Sequence, residues 1–152
     1  MVLLKSFSIS ILILTVLASC TTPSCQGGLN QFILFNWTKE DPSTVTIKLF
    51  KKNSYYTHFE KEYATKDLDI FISHLNKTPD LYLSPLNGSA VFPYDSDYLI
   101  TINNKYEYRV NSIVPGFPYT GCLLKEGKVN NRCDVEGHSY TFDSRCANLV
   151  QE

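Results

Sequence analysis

Hydrophobic and polar residues alternate through much of this chain. In residues 44–50, Val45, Ile47 and Leu49 fall on one side, and Thr44, Thr46 and Lys48 on the other. A repeat of two is that of a pleated strand, whose successive side chains point to opposite faces, so the stretch predicts a half-buried strand. Residues 55–63 repeat the pattern, with Tyr55, Thr57, Phe59 and Tyr63 opposed to Tyr56, His58, Glu60 and Glu62. Lys52-Asn53-Ser54 supplies a turn between the two, and together they predict a hairpin. The strongest local signal comes later. Tyr98-Leu99-Ile100-Thr101-Ile102 meets residues 106–114 through Asn103-Asn104-Lys105, and Asn tolerates the positive φ that a tight hairpin turn requires. On the second arm Tyr106, Tyr108 and Val110 are expected inside, with Glu107, Arg109 and Asn111 in water. Shorter apolar runs at residues 31–37, 80–83, 89–92 and 139–142 add strand candidates. Pro115-Gly116-Phe117-Pro118-Tyr119 reads as a rigid aromatic loop that breaks the sheet.

The period changes once. Leu68, Phe71, Ile72 and Leu75 recur at i, i+3, i+4 and i+7, the spacing of one helix face. Thr65 stands where an N-cap would, Asp67 and Asp69 where a helix N-terminus favours negative charge, and Pro79 where continuation would fail. A helix over residues 66–76, lying on a sheet with its apolar stripe in the core, is the expectation. The predicted fold class is therefore mainly β, an antiparallel sheet or β-sandwich with one short helix. Ten Tyr and nine Phe against a single Met agree with it, because aromatic side chains pack well on pleated surfaces.

The N-terminus is organised differently. Lys5 precedes an apolar run over residues 7–18, and Leu17-Ala18-Ser19-Cys20 closes it. A cation, a short apolar middle and small residues make the anatomy of a signal peptide. The run is about 12 residues, whereas a spanning helix needs about 20, so a permanent transmembrane helix is not expected. The last four residues match the bacterial lipobox. In that motif the Cys takes lipid, palmitate-type acyl chains, and becomes the mature N-terminus. The competing reading is an ordinary secretory signal followed by a secreted disulfide-bonded binding domain. It is kept open by Asn36-Trp37-Thr38, Asn76-Lys77-Thr78 and Asn87-Gly88-Ser89, which are glycosylation acceptors in a eukaryotic host. The expected organisation is a lipoprotein signal over residues 1–19, lipidated Cys20 and a polar tether over 20–28, and a single β-rich domain over 29–152. Thr21 in place of Asp after Cys20 resembles the outer-membrane sorting pattern of enterobacteria. That points to the periplasmic face of the outer membrane.

Charge excludes one class of partner. Loss of Lys5 with the signal leaves 13 Lys+Arg against 15 Asp+Glu, a net of −2, and no basis for a nucleic-acid face. Four Cys remain after Cys20, namely Cys25, Cys122, Cys133 and Cys146. An even count in an exported chain reads as two disulfides. Three pairings are possible and sequence alone does not choose; Cys122–Cys133 with Cys25–Cys146 is the expectation, since it would tie the ends of the domain together. No C-x-x-C pair accompanies these Cys and only His138 lies near, so no metal and no cofactor is expected.

Catalysis finds little support. A hydrolase needs a nucleophile, a base and an orienting group together, and His58, His74 and His138 stand in no motif that supplies them. The carboxylate pairs Asp95/Asp97 and Glu60/Glu62 are spaced as many solvated pairs are. The chain is read as non-enzymatic, with no catalytic residue assigned. Trp37, Phe117 and Tyr119, in or beside loops, are candidate anchors for a protein partner; the alternative is that they cap the ends of a β core.

The lipobox, the β-rich domain and the late hairpin carry a resemblance. The hairpin reads Asp97-Tyr98-Leu99-Ile100-Thr101-Ile102, then Lys105-Tyr106-Glu107-Tyr108. In this the chain resembles, over about residues 20–114, the small periplasmic lipoproteins of enterobacteria assigned as immunity proteins of the type VI secretion system. The tail from Cys122 departs from that pattern. The resemblance implies a membrane-anchored protein that binds and neutralises an incoming toxin. An envelope-assembly or pilotin-type lipoprotein is the second class, and an envelope hydrolase the third.

Overall fold

The computed structural model describes residues 27–88, 90–116, 123–135, 137 and 139–150. Strands form over most of the alternating stretches and bury the predicted side at residues 45–49 and 106–110. The one expected over residues 55–63 begins only at Phe59, which is 57% exposed, because Tyr55 and Tyr56 hold positive φ in a turn. The strands are β1 (Gly28–Leu29), β2 (Phe32–Phe35), β3 (Val45–Lys51), β4 (Phe59–Ala64), β5 (Leu68–Ser73), β6 (Asp80–Pro85) and β7 (Phe92–Pro93). Then come β8 (Ser96–Ile102), β9 (Tyr106–Gly116), β10 (Leu123–Val129), β11 (Cys133–Asp134), β12 (Tyr140–Asp143) and β13 (Asn148–Leu149).

They assemble into two main sheets. A seven-stranded sheet runs β11-β10-β9-β8-β3-β4, with β13 beside the start of β9; a four-stranded sheet runs β12-β2-β6-β5. A short β1–β7 pair completes the set. The inner faces of the two sheets meet as a β-sandwich. Phe32 of β2 lies 5.2 Å from Tyr98 of β8, Tyr140 of β12 lies 5.5 Å from the same ring, and Phe142 lies 5.4 Å from Tyr108 of β9. Val45, Ile47, Leu49, Ile100, Ile102 and Val110 close the core from one sheet, and Leu34, Leu81 and Leu83 from the other. The fold class is thus mainly β, as the alternation implies.

The hairpin of β8 and β9 has the expected register, from Tyr98 opposite Val110 to Ile102 opposite Tyr106. Asn103 and Asn104 carry the turn at φ 54° and 53°. Further along β9 the pattern breaks. Ser112 sits at φ 56° where the β9–β10 register slips, and the bulge changes the phase so that Ile113 rather than Ser112 turns inward. β9 then continues through Pro115 and Gly116, which pair with Leu124 and Leu123, so the sheet does not end where the proline-rich stretch begins.

Three expectations are corrected. The helix over residues 66–76 is absent. Residues Thr65–Asp67 make one 3₁₀ turn and β5 follows at once. Leu68, Ile70 and Ile72 alternate toward the core while Phe71 faces out and stacks on Tyr82, 4.5 Å between ring centres. Leu75, which the helical reading places on the apolar stripe, is 94% exposed. Two β-branched Ile and a waiting partner, β6, outweigh a coincidental i, i+3, i+4 spacing.

The second correction is the disulfide. Cys133 joins Cys146, with Cα atoms 6.1 Å apart, in place of Cys122–Cys133 and Cys25–Cys146. Asn130 and Asn131 reverse the chain at positive φ after β10, and β13 returns to pair with Tyr106 and Glu107. Arg132 donates to the carbonyls of Cys146 and Ala147 and to Asn148 Oδ1, and Asn130 Nδ2 donates to the Cys146 carbonyl. These bonds fold the tail over the β10–β11 turn. The ends of the domain are tied together by backbone instead, through the parallel pairing of β12 with β2. Cys25 and Cys122 lie outside the described residues.

The third concerns the tether. Gly28, assigned to it from sequence, opens β1 opposite Pro93. Any Cβ there would collide with the Phe92 carbonyl, so only Gly permits this close approach.

Candidate functional site

The long turn between β3 and β4 folds back over the outer face of the large sheet. Its backbone is held by three bonds, Lys51 N–H to the His58 carbonyl, Ser54 N–H to the Lys51 carbonyl and Thr57 N–H to the Ser54 carbonyl. Asp97, at the start of β8, accepts the Asn53 N–H on Oδ2 at 2.9 Å. Between this turn, the bulge of β9 and the β10–β11 turn lies a cleft of about 570 Å³. Asn53, Tyr55, Tyr56 and Asp97 line one side; Arg109, Asn111 and Ser112 of β9 the floor; Asn130, Asn131 and Asn148 the far side.

Backbone strain concentrates here. Asn53, Tyr55, Tyr56, Ser112, Asn130 and Asn131 all hold positive φ, between 50° and 62°. Asn adopts this region readily, whereas Tyr and Ser do not, and such residues persist only where the surroundings over-determine them. The side chains are equally unusual. Asp97 is 3% exposed, yet its Oδ1 has no hydrogen-bond partner among the described residues, while the enclosed Tyr56 hydroxyl lies beside the Asn111 amide. Burial pushes the Asp97 carboxyl above its ordinary range, while the Asn53 N–H and the ammonium of Lys52 draw it back. Burial likewise pushes the Tyr56 phenol up to about 12. Arg109 lies over the Tyr56 ring at 5.7 Å and pairs with Glu107 at 2.8 Å. The Lys52 ammonium donates to the Ile113 carbonyl. Asn130 is spent on structure, accepting from the Arg109 N–H and donating to the Glu107 carbonyl.

A second concavity, of about 600 Å³, lies against the small sheet. Five consecutive residues are not needed to line a pocket over a flat sheet face, but Leu68, Asp69, Ile70, Phe71 and Ile72 of β5 all do, opposite Asp41, Pro42 and Thr65. Both faces and the backbone of β5 therefore border it. Among the described residues β5 pairs with β6 alone, so its other edge is an open ladder. Phe71 is 47% exposed on that border.

The residues singled out from sequence divide as follows. Trp37 is 2% exposed, edge-on to Tyr106 at 6.2 Å beneath the Lys39 ammonium, and so caps the core rather than offering a contact surface. Phe117, Tyr119, Cys20 and His138 lie outside the described residues. His58 and His74 are exposed, His58 in the β3–β4 turn beside the Thr57 hydroxyl and His74 at the end of the β5 groove. Asp95 and Asp97 are divided by burial, Asp95 exposed and Asp97 enclosed. Asn36 is committed to the fold: its amide donates to Asp143 and accepts from Thr78, which leaves it unsuited as a glycan acceptor. Among the described residues no three His, Cys, Asp or Glu side chains gather as a metal site requires. Sequence reading missed the Asn-lined cleft. A run of Asn and Tyr between two predicted strands was its only trace, and the partners Asn111, Asn131 and Asn148 are distant in the chain. Compared with protein-family models, curated proteins and solved structures, the chain finds no match.

Proposed function

We propose that this chain is an exported, lipid-anchored envelope protein that acts by binding a protein partner rather than by turnover, as the type VI immunity proteins it resembles do. The partner docks an extended segment along β5. One observation carries the docking mode: a six-residue edge strand with an open backbone ladder borders a groove whose far wall is already built. Natural edges are commonly blunted by Lys, Pro or bulges, and β5 has none of these over its six regular pairs with β6. Strand addition draws affinity from main-chain bonds and specificity from alternate side-chain pockets, here beside Phe71 and Tyr82. The lipobox supplies the anchor, which would hold this surface at the membrane where an incoming toxin must pass.

A photo-reactive benzophenone side chain in place of Phe71 tests this in envelope extracts. A specific protein adduct is expected, and Phe71→Lys in a chain without the photo-probe should weaken pulldown of that protein about tenfold or more, ~1.4 kcal/mol. A toxin in the adduct favours immunity, and an envelope component favours assembly. No adduct at Phe71, with adducts at control sites elsewhere, overturns docking along β5.

A further inference from the structure

We propose that the cleft under the β3–β4 turn is a binding site for a neutral, hydroxyl-rich ligand, a pyranose oligosaccharide. It is a different surface from the β5 groove, on the other sheet, and does not depend on the partner reading. The chemistry left over in the cleft selects the ligand. Arg109 is paired with Glu107, and the Lys52 ammonium, which donates to the Ile113 carbonyl, lies near enough to Asp97 to draw on its charge. An anion brought in would face the buried Asp97, and a cation would face Arg109. What remains unmet is an acceptor, Oδ1 of Asp97, whose side chain is enclosed, and beside it stands a buried phenol, Tyr56 Oη, approached by the Asn111 amide. Around them stand amides, each of which both donates and accepts. The side chain of Asn53 makes no hydrogen bond to any described residue, and Asn131 and Asn148 use only their oxygens, toward Asn111 and Arg132. A group that donates to a carboxylate and then both accepts from and donates to amides is a hydroxyl. Several such groups at pyranose spacing would meet this wall at once.

Tyr55 supplies the second half of the argument. It is 89% exposed at the rim and held in the left-handed region at φ 52°, where a Tyr does not settle without cause. A flat ring displayed beside a polar wall suits a ligand with an apolar face and polar edges, which is how a pyranose presents its axial C–H bonds and its hydroxyls. The turn that displays Tyr55 is pinned through Asp97 Oδ2, so the acceptor and the platform are set by one side chain.

The test is an amide-resolved NMR titration of the purified full chain with three probes. They are a β-1,4-linked N-acetylglucosamine trimer, glucuronate as the anionic comparator and N-acetyl-arginine amide as the cationic one. The trimer should move the Asn53, Asn111 and Asn131 side-chain signals, and a dissociation constant of ~1 mM would fill about nine-tenths of the sites at roughly 10 mM trimer. In Asp97→Asn the bond from Asn53 N–H requires the oxygen, so the new amide nitrogen turns into the cleft and an acceptor becomes a donor. That variant should keep its fold and lose trimer affinity at least tenfold, and Tyr55→Ala should lose it several-fold. Replacement of the trimer by maltotriose decides which neutral sugar fits, and shifts from either support the site. No shift from either sugar, stronger shifts from a charged probe, or unchanged affinity in a folded Asp97→Asn protein would each overturn the proposal. A negative result here leaves crosslinking at Phe71 untouched.

Discussion

Two carboxylates, Asp97 and Asp143, give opposite responses to pH. Asp143, at the end of β12, accepts from the Arg145 guanidinium and backbone N–H and from the Asn36 amide, and this holds its carboxyl below the ordinary aspartate range, at about 2. A depressed carboxylate contributes stability that is present above its unfolded pKa and is lost as pH falls through the folded one. Asp97 is raised by burial, so its ionised form opposes folding, fully so above its folded pKa; the opposition fades as pH falls from the folded to the unfolded value and is gone below it. Asp143→Asn should therefore lower the melting temperature at pH 6, with the difference closing as the pH approaches 2. Asp97→Asn should melt at or above the wild-type temperature at pH 7. Calorimetric melts of both variants across that range check the signs, and a large loss in Asp97→Asn at pH 7 would mean that its ionised form is a net stabiliser.

Among the elements, the tail depends most on a covalent link. β11 and β13 are two residues each, and the exposed Asn148 and Leu149 bury little. Their position rests on the Arg132 and Asn130 bonds and on Cys133–Cys146, which closes a loop of sequence separation 13. Loop-closure arithmetic for such a length predicts that Cys133→Ala with Cys146→Ala costs about 3 kcal/mol, read from the denaturant midpoint. Early hydrogen exchange in β13 should accompany that loss while β8 stays protected. The contrast follows from burial: Tyr98, Ile100 and Ile102 of β8 are fully enclosed between the sheets.

At the scale of the whole molecule, Cys25 and Cys122 are the remaining candidates for a second disulfide. If the exported chain holds two disulfides, Cys133–Cys146 leaves Cys25–Cys122 as the second. Peptide mapping of the unreduced protein should recover both crosslinks and no free thiol; a labelled Cys25 or Cys122 would reject the second. Such a bridge would fasten the segment that follows the lipid to the sandwich, so the binding surfaces would ride on a short tether. Mass spectrometry of the mature N-terminus should find lipid on Cys20, and Cys20→Ser should release the protein from membranes. A mature chain that starts elsewhere without lipid would leave the β5 groove and the cleft on a secreted domain.

Much of this was determined by sequence alone. Alternation in β3, β8 and β9 decides strand identity and inner face, because a one-residue slip would bring Thr46 and Lys48 to the core in place of Ile47 and Leu49. Asn103 and Asn104 likewise declare their turn through their tolerance of positive φ. The helix reading failed for a physical reason. Leu68 and Ile72 fit either period, Phe71 and Leu75 complete a helix face and Ile70 a strand face, and the presence of β6 chose between them. The disulfide pairing, the parallel seam of β2 and β12 and the change of phase at Ser112 all depend on which distant segments meet, and local composition carries no record of that. The cleft belongs to the same class. Its wall comes from residues 53–56, 97, 109–112, 130–131 and 148, unremarkable singly as surface Asn and Tyr. Tertiary structure decided that one carboxylate oxygen among them would be enclosed and left unbonded.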